Sequence, residues 1–148
     1  PVVHTLMRTD AHRVDALLEA VAMLGVRRIA VVTPYIDSVT ERLLAYLAEG
    51  GVEVVSSVGL GLLSHIWKVG YTEVVNAVCS VDRPDADAVF VSCTNVPTYD
   101  IIAPLERMLR KPVLTANQVT MCSALARFGV RAMGEGQRLV HESCPLVA

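Results

Sequence analysis

Residues 88–95 read AVFVSCTN, an apolar run that gives way at once to small and polar side chains. A short apolar run of this kind is typical of a strand buried on both faces of a parallel sheet. A second such run, RIAVVT at residues 28–33, ends in a Thr-Pro-Tyr turn. Residues 52–58 and 111–115 are two further predicted strands, so the sequence predicts four in all.

Helical segments alternate with these strands. Residues 12–24 carry apolar side chains at the i, i+3, i+4, i+7 spacing of an amphipathic helix. Further helices are predicted over residues 37–49, 71–80, 101–109 and 117–128. This alternation predicts an α/β fold, a four-stranded parallel sheet with right-handed crossovers and helices on both faces. In such sheets ligands bind at the carboxyl ends of the strands, so candidate functional residues are sought there.

Several residues near helix starts have a simple structural interpretation. Asp37 or Ser38 is expected to cap the second helix. Asn117 is expected to cap the last helix, although its side chain could also bind a ligand. Pro104 is placed in the first turn of its helix, where the missing N–H costs little.

The composition limits the classes of protein and of partner. The 148 residues suit one domain, and 53% are hydrophobic against 19% charged, which is too apolar for a disordered chain. A net charge of −2 without a lysine or arginine cluster favours neither nucleic acid nor an anionic membrane as a partner. No apolar run reaches the roughly 18 residues of a membrane-spanning helix, and the first residues do not resemble a signal peptide.

The four cysteines indicate a reducing compartment. Cys79, Cys93, Cys122 and Cys144 show no Cys-x-x-Cys spacing, so neither a zinc ribbon nor a thioredoxin motif is indicated. Free thiols in the cytoplasm are the expected state. Cys79 and Cys122 fall within predicted helices and are expected in the core. The histidines show no metal-binding pattern either, so no metal is expected.

Cys93 is the strongest candidate for chemistry because it lies where a buried strand turns toward a helix. Backbone N–H groups and the helix dipole at such a position favour an anion, so they would stabilise a thiolate or hold a substrate carboxylate. Thr94 and Asn95 add side-chain donors. The alternative is a small buried cysteine that only fills space.

Two aromatic side chains follow the first two strands. Tyr35 could donate a hydrogen bond from its phenol to a substrate oxygen, or it could simply cover the edge of the sheet. His65 shares a long loop with Trp67 and Lys68. It could reach the strand ends, or it could be a solvated loop residue.

Four short motifs stand in a characteristic order: TPYID at residues 33–37, SCTN at 92–95, PLE at 104–106 and KPVLTANQ at 111–118. Over about residues 14–128 the chain resembles the aspartate/glutamate racemase superfamily. Within it, the chain is most similar to the branch of maleate cis-trans isomerases and arylmalonate decarboxylases. The resemblance implies a flavodoxin-like lobe of a two-lobe enzyme whose active site lies between the lobes and needs no metal or organic cofactor.

The resemblance also implies how the chain is organised. Residues 1–128 correspond to the second lobe, and residues 129–148 form a C-terminal tail that packs on a missing first lobe. That face would otherwise be bare, which agrees with the apolar excess, and a homodimer is the other arrangement that could cover it. The chain alone is then expected to be an incomplete and inactive fragment.

The same resemblance implies roles for the candidate residues. Cys93 matches the second-lobe catalytic cysteine, and Tyr35 matches a substrate-binding tyrosine. Thr94 and Asn95 lie where donors bind a carboxylate. His65 is given a substrate-binding role because it falls where maleate isomerases carry an asparagine.

The implied reaction is the isomerisation of a small dicarboxylate, of the maleate-to-fumarate type. A first-lobe cysteine adds to the double bond, the C–C bond rotates, and the Cys93 thiol manages the proton. An amino-acid or hydantoin racemase would instead exchange a proton between the two cysteines. An arylmalonate decarboxylase would keep only the second-lobe cysteine, as proton donor, with a glycine in the first lobe. A carboxylate-binding lobe without catalysis is the remaining alternative.

Overall fold

The computed structural model describes residues 15–142, so Cys144, the start of the first predicted helix and the end of the tail lie outside the described part. At its centre is a parallel sheet in the order β2-β1-β3-β4. The strands are β1 (Arg28–Thr33), β2 (Glu53–Gly59), β3 (Ala88–Val91) and β4 (Val113–Thr115). The predicted four-stranded parallel sheet is confirmed.

Helices precede the first strand, connect the strands and follow the last one. They are α1 (residues 15–23), α2 (Asp37–Glu49), α3 (Tyr71–Val81), α4 (Tyr99–Leu109), α5 (Ala116–Ala126) and α6 (Arg138–Glu142). A short 3-10 turn, Ile66–Lys68, precedes α3. The sequence pattern predicts no helix where α6 lies. Between residues 15 and 142, no helix has the length and apolar character that a membrane span requires.

The sheet carries an apolar core on each face. On β1, Ile29 and Val31 belong to one core and Ala30 and Val32 to the other, because successive side chains of a strand point to opposite faces. Side chains of α1, α2, α5 and α6 pack in the first core, and those of α3 and α4 pack in the second. The prediction of helices on both faces is confirmed.

The expected helix caps are wrong. The N-cap of α2 is Ile36, whose side chain cannot accept a hydrogen bond, rather than Asp37 or Ser38. Thr115 caps α5 in place of Asn117, because its Oγ1 accepts a bond of 3.2 Å from the backbone N–H three residues later. The first turn of α5 therefore begins at the last residue of β4, and the side chain of Asn117 is left for another contact.

Two other residues lie differently from expectation. Pro104 is inside α4 rather than in its first turn, so the carbonyl four residues earlier has no N–H from Pro104 to accept. Cys79 is exposed, because the buried side of α3 is formed by residues 74, 77, 78 and 81. Cys122 is buried in the first core, as predicted.

The β4 edge of the sheet is closed by a buried carboxylate. Glu106 of α4 is only 2% exposed. Its Oε1 accepts the backbone N–H of Val113 at 3.0 Å, and its Oε2 accepts the backbone N–H of Arg138 at 2.8 Å. Burial raises the pKa of this carboxyl above the ordinary glutamate value, against the opposing effect of these two N–H groups. One side chain thus ties α4, β4 and α6 together.

A buried amide pair holds the same segment from the other side. Gln118 of α5 donates through Nε2 to Oε1 of Gln137 at 2.8 Å, and both residues are buried. Because Gln137 directly precedes α6, the start of α6 is tied to both helices that flank β4. Leu139 and Val140 then complete the first core.

The β2 edge is open in comparison. Among residues 15–142, β2 pairs only with β1, and grooves of about 610 and 620 Å³ run along its two sides. Small side chains line both grooves, Ala45 and Ala48 from α2 on one side and Ala77 and Ser80 from α3 on the other. The two edges of the sheet therefore differ, because polar side-chain contacts cover the β4 edge and grooves flank the β2 edge.

Candidate active site at the carboxyl ends of β1 and β3

The strand order creates a crevice between two neighbouring strands. β1 is followed by β2 on one side of the sheet, whereas β3 is followed by β4 on the other side. The connections therefore leave the ends of β1 and β3 in opposite directions, which is where open α/β sheets bind ligands. Val32 pairs with Val91 at this end of the sheet, so the turns that follow Thr33 and Val91 flank the same crevice.

Cys93 lies in a strained turn at this crevice. Its φ is +81°, in the left-handed region that cysteine rarely adopts. Residues 92–96, named here the Cys93 turn, are held by two backbone bonds. Ser92 N–H donates to the carbonyl of Val32 at 2.8 Å, and Val96 N–H donates to that of Cys93 at 3.2 Å. Such a conformation costs about 1–3 kcal/mol and persists only where the surroundings impose it.

The turn presents both its thiol and polar side chains. Cys93 is half-buried and packs against the second core, Thr94 is also half-buried, and Asn95 is exposed. Asn117 of α5 donates through Nδ2 to the carbonyl of Thr94 at 3.0 Å. The structure thus places three of the five predicted site residues in one turn at the crevice, and helix α5 contributes a side chain that supports it.

The loop after β1 brings Tyr35 to the same end of the sheet. The carbonyls of residues 33–35 accept backbone N–H groups of residues 60–62 at 2.9–3.1 Å. Gly59 permits this close contact, because a Cβ there would lie 2.8 Å from the carbonyl oxygen of Tyr35. The half-buried Tyr35 is therefore carried by a loop that is fixed to the end of β2.

His65 lies in the connection between β2 and α3. It is exposed and has a left-handed φ of +57°. Its Nδ1 is 2.8 Å from Oγ of Ser64, and its ring centroid is 5.1 Å from that of Trp67. These contacts lie within its own loop, so its predicted role with substrate stays a prediction.

A contact between α3 and α4 lies outside what the sequence pattern shows. The hydroxyl of Tyr71, the first residue of α3, donates to Oδ2 of Asp100 in the first turn of α4 at 2.7 Å. This bond to a carboxylate raises the pKa of the Tyr71 phenol. The partners are 29 residues apart, and neither belongs to a periodic pattern that would pair them.

Within the described residues, Cys79, Cys93 and Cys122 form no disulfide. Within residues 15–142, no three histidine, cysteine, aspartate or glutamate side chains converge closely enough to hold a metal ion. The chemistry that the described crevice offers is therefore that of one thiol, a phenol and neutral hydrogen-bond donors.

Comparison with known proteins agrees with this architecture. The family model of arylmalonate decarboxylase matches residues 9–140. The chain belongs to the arylmalonate decarboxylase family. The arylmalonate decarboxylase of Bordetella bronchiseptica is 34% identical over 134 residues, which cover 86% of this chain and 56% of that protein. The maleate isomerase of Geobacillus stearothermophilus is 28% identical over 120 residues, or 78% of this chain and 47% of that protein. The chain spans about half the length of these curated relatives.

A solved structure extends the similarity to the fold. A mutant of Nocardia farcinica maleate cis-trans isomerase with a covalently bound succinylcysteine intermediate aligns with a TM-score of 0.81 and 26% identity. The alignment covers 84% of this chain and 53% of that one. The predicted branch of maleate isomerases and arylmalonate decarboxylases, within the aspartate/glutamate racemase superfamily, is confirmed, as is the flavodoxin-like lobe.

Proposed function

We propose that the protein is a cofactor-independent isomerase of a small dicarboxylate, of the maleate-to-fumarate type, with Cys93 as a thiol acid/base. The observation that carries the proposal is the Cys93 turn, which holds a half-buried thiol in left-handed backbone at the carboxyl ends of β1 and β3. Backbone strain of this kind concentrates at functional sites. The succinylcysteine intermediate in the Nocardia farcinica relative supports cysteine chemistry in the family.

A first lobe opposite Cys93 completes the site in this proposal. Residues 1–128 then form the second lobe and residues 129–148 the tail, in keeping with relatives about twice as long. Leu139 and Val140 of the tail pack in the core of this lobe, so other tail residues would pack on the first lobe. Phe128, Val130 and Met133 are 83%, 52% and 88% exposed, which offers apolar surface for that contact. This lobe alone would be inactive, and a homodimer is the other arrangement that could cover the surface.

The substrate would be held by neutral donors. Tyr35 can donate its phenolic proton, and Thr94 and Asn95 can donate from the Cys93 turn, so together they suit a carboxylate. His65 would approach from the loop after β2. Cys93 must stay reduced to act, which suits the cytoplasm.

The proposed reaction conserves atoms and protons. A first-lobe thiolate adds to one alkene carbon of the dicarboxylate and forms a C–S bond. The electron pair of the double bond moves to the neighbouring carbon, which takes the proton of the Cys93 thiol. The C–C bond, now single, rotates. The Cys93 thiolate then removes a proton from that carbon, the C–S bond breaks, and the trans alkene leaves with the first-lobe thiolate and the Cys93 thiol restored.

The intact mass of the purified protein is the first test. A mass well above the 16.0 kDa of this chain would supply the first lobe, whose residue opposite Cys93 can then be identified. A mass of 16.0 kDa in an active, monomeric protein would overturn the two-thiol mechanism, since the second thiol would be missing.

Substitution of Cys93 is the decisive test of its role. In the full-length protein, Cys93→Ala should lower kcat for maleate at least about 100-fold, as expected for the loss of a general acid/base. Conversion to fumarate is followed by proton NMR. Cys79→Ala removes an exposed thiol from α3 and should keep the wild-type rate. Full activity of Cys93→Ala would overturn the proposal.

A decarboxylase is the second candidate, favoured by the 34% identity to the Bordetella bronchiseptica arylmalonate decarboxylase. In that case Cys93 would deliver a proton to the carbon that loses CO₂, and no second thiol would be needed. Release of CO₂ from an aryl- or alkylmalonate, with no turnover of maleate, would favour this function. A cysteine in the first lobe opposite Cys93 would favour the isomerase, and a glycine would favour the decarboxylase.

A further inference from the structure

Asn117 makes a contact that its position does not require. It lies in the first turn of α5, where the capping role belongs to Thr115. Its side chain is exposed, yet Nδ2 reaches the carbonyl of Thr94 at 3.0 Å. The bond therefore does not serve the start of the helix, and it joins α5 to the Cys93 turn.

The register of the sheet explains why these two residues meet. Val91 of β3 pairs with Thr115 of β4, and the chain leaves the sheet at both residues. Asn117 and Cys93 each follow that pair by two residues, so they leave the sheet at the same level. A side chain with an amide donor at position 117 is long enough to reach the next carbonyl of the turn, that of Thr94.

The Cys93 turn needs such support. The backbone N–H groups of Ser92 and Val96 fix the turn before and after the thiol. Both bonds join main-chain groups, so they do not depend on the side chains of this turn. The side-chain amide of Asn117 ties the turn to α5, the helix that follows the neighbouring strand β4. A left-handed cysteine relaxes toward ordinary backbone when such restraints are lost.

We propose that Asn117 is a positioning residue that holds Cys93 in its left-handed, reactive orientation by bonding the carbonyl of Thr94. The inference deepens the proposed function, because it assigns Asn117 a role in the same site without contact to substrate. A carboxylate at this position would face the carbonyl oxygen without a donor and would repel it. Asn117→Asp, although nearly the same size, should therefore disturb the turn more than Asn117→Ala.

Alkylation of the thiol tests the proposal without reference to turnover. The chain is treated with iodoacetamide at neutral pH, and the rates at Cys93 and Cys79 are followed separately by peptide mass spectrometry. Asn117→Ala should slow alkylation of Cys93 at least about three-fold, the size expected for one lost hydrogen bond. Asn117→Asp should slow it further. The rate at Cys79, an exposed residue of α3, should stay within about 1.5-fold of the wild-type rate in both variants.

Asn76→Ala provides the matched control, since Asn76 is a partly exposed asparagine of α3 that lines a groove beside β2. It should leave both rates unchanged. An unchanged rate at Cys93 in Asn117→Asp would overturn the proposal, as would an equal change at Cys79, which would indicate general loosening. The result is separable from the proposed function: an active Cys93→Ala enzyme would refute the role of the thiol in catalysis while leaving the effect of Asn117 on its alkylation intact.

Discussion

The two edges of the sheet differ in how their backbone groups are satisfied. At β4, the Glu106 carboxylate and the Gln118–Gln137 pair fasten α6 against the edge from both faces. At β2, grooves lined by small side chains flank a strand that pairs on one side only. An edge strand presents unpaired N–H and C=O groups, and proteins cover or blunt it in various ways. Here, polar side-chain contacts close one edge, and the described part of the chain places no second strand on the other.

The difference shows where stability is concentrated. The bond from Arg138 to Glu106 spans 32 positions, so it joins α6 to α4, two elements that the chain does not connect closely. Such contacts constrain the fold more than additional local turns would. We therefore expect substitutions at the β4 edge to cost far more than comparable substitutions at the β2 edge.

Loss of the Glu106 side chain should have the largest effect. Glu106→Ala leaves the buried N–H of Val113 and the partly buried N–H of Arg138 without their acceptor, and we expect a loss of about 3 kcal/mol in the free energy of unfolding. Denaturant titration measures it. Glu41→Ala, which removes an exposed glutamate from α2, is the control. A loss below about 1 kcal/mol at Glu106 would contradict the importance of this closure.

The pH dependence of stability should reveal the same carboxylate. Burial raises the pKa of Glu106 in the folded protein, so the folded state binds this proton more tightly than the unfolded chain does. The stability that the proton contributes is fully present below the ordinary glutamate pKa and is lost as pH rises through the raised value. Relative to Glu106→Gln, the wild type should therefore become less stable as the pH rises from the ordinary glutamate pKa of 4.5 toward neutral pH. A difference in the free energy of unfolding between the two proteins that stays constant over this range would contradict the raised pKa of Glu106.

The buried amide pair should contribute less. Gln137→Ala removes the acceptor of Gln118 Nε2 and should lower the free energy of unfolding by about 1–2 kcal/mol. A double-mutant cycle with Gln118→Ala isolates the interaction, for which a coupling of about 1 kcal/mol is expected. Strictly additive losses would show that the two amides do not support each other.

The β2 edge should tolerate a charge. Ser57 is exposed on β2, so Ser57→Lys should change the free energy of unfolding by less than about 0.5 kcal/mol. A thermal or denaturant unfolding curve of the variant measures this change in the free energy of unfolding. A loss above about 1 kcal/mol would mean that this edge is covered as well, and the contrast between the edges would fail.

The strands of the sheet could be predicted from sequence because each is marked by residues that are close together in the chain. β1 and β3 are short apolar runs, and the bounds of both strands agree with prediction. The position of Cys93 at a strand end could be predicted for the same reason. The left-handed backbone at Cys93 could not, because cysteine is not a residue that signals a positive φ.

The polar contacts were hidden because their partners are far apart in the chain. The PLE motif contains Glu106, but nothing in the spacing indicates that its carboxylate reaches Arg138. Asn117 is a good capping residue by type, and only the register of β3 with β4 shows that it reaches the carbonyl of Thr94 instead. The site could thus be located from sequence, but not the contacts that shape it.

At position 93, selection for stability and selection for a reactive thiol favour different residues. Glycine adopts a φ of +81° without steric cost, so Cys93→Gly would relieve strain that the folded protein now carries. Screening variants for thermal tolerance alone would enrich glycine at this position and discard the sulfur. Cysteine at position 93 thus carries a strain that glycine would avoid. A library varied at this position and selected for both stability and activity would measure how strongly activity favours the thiol.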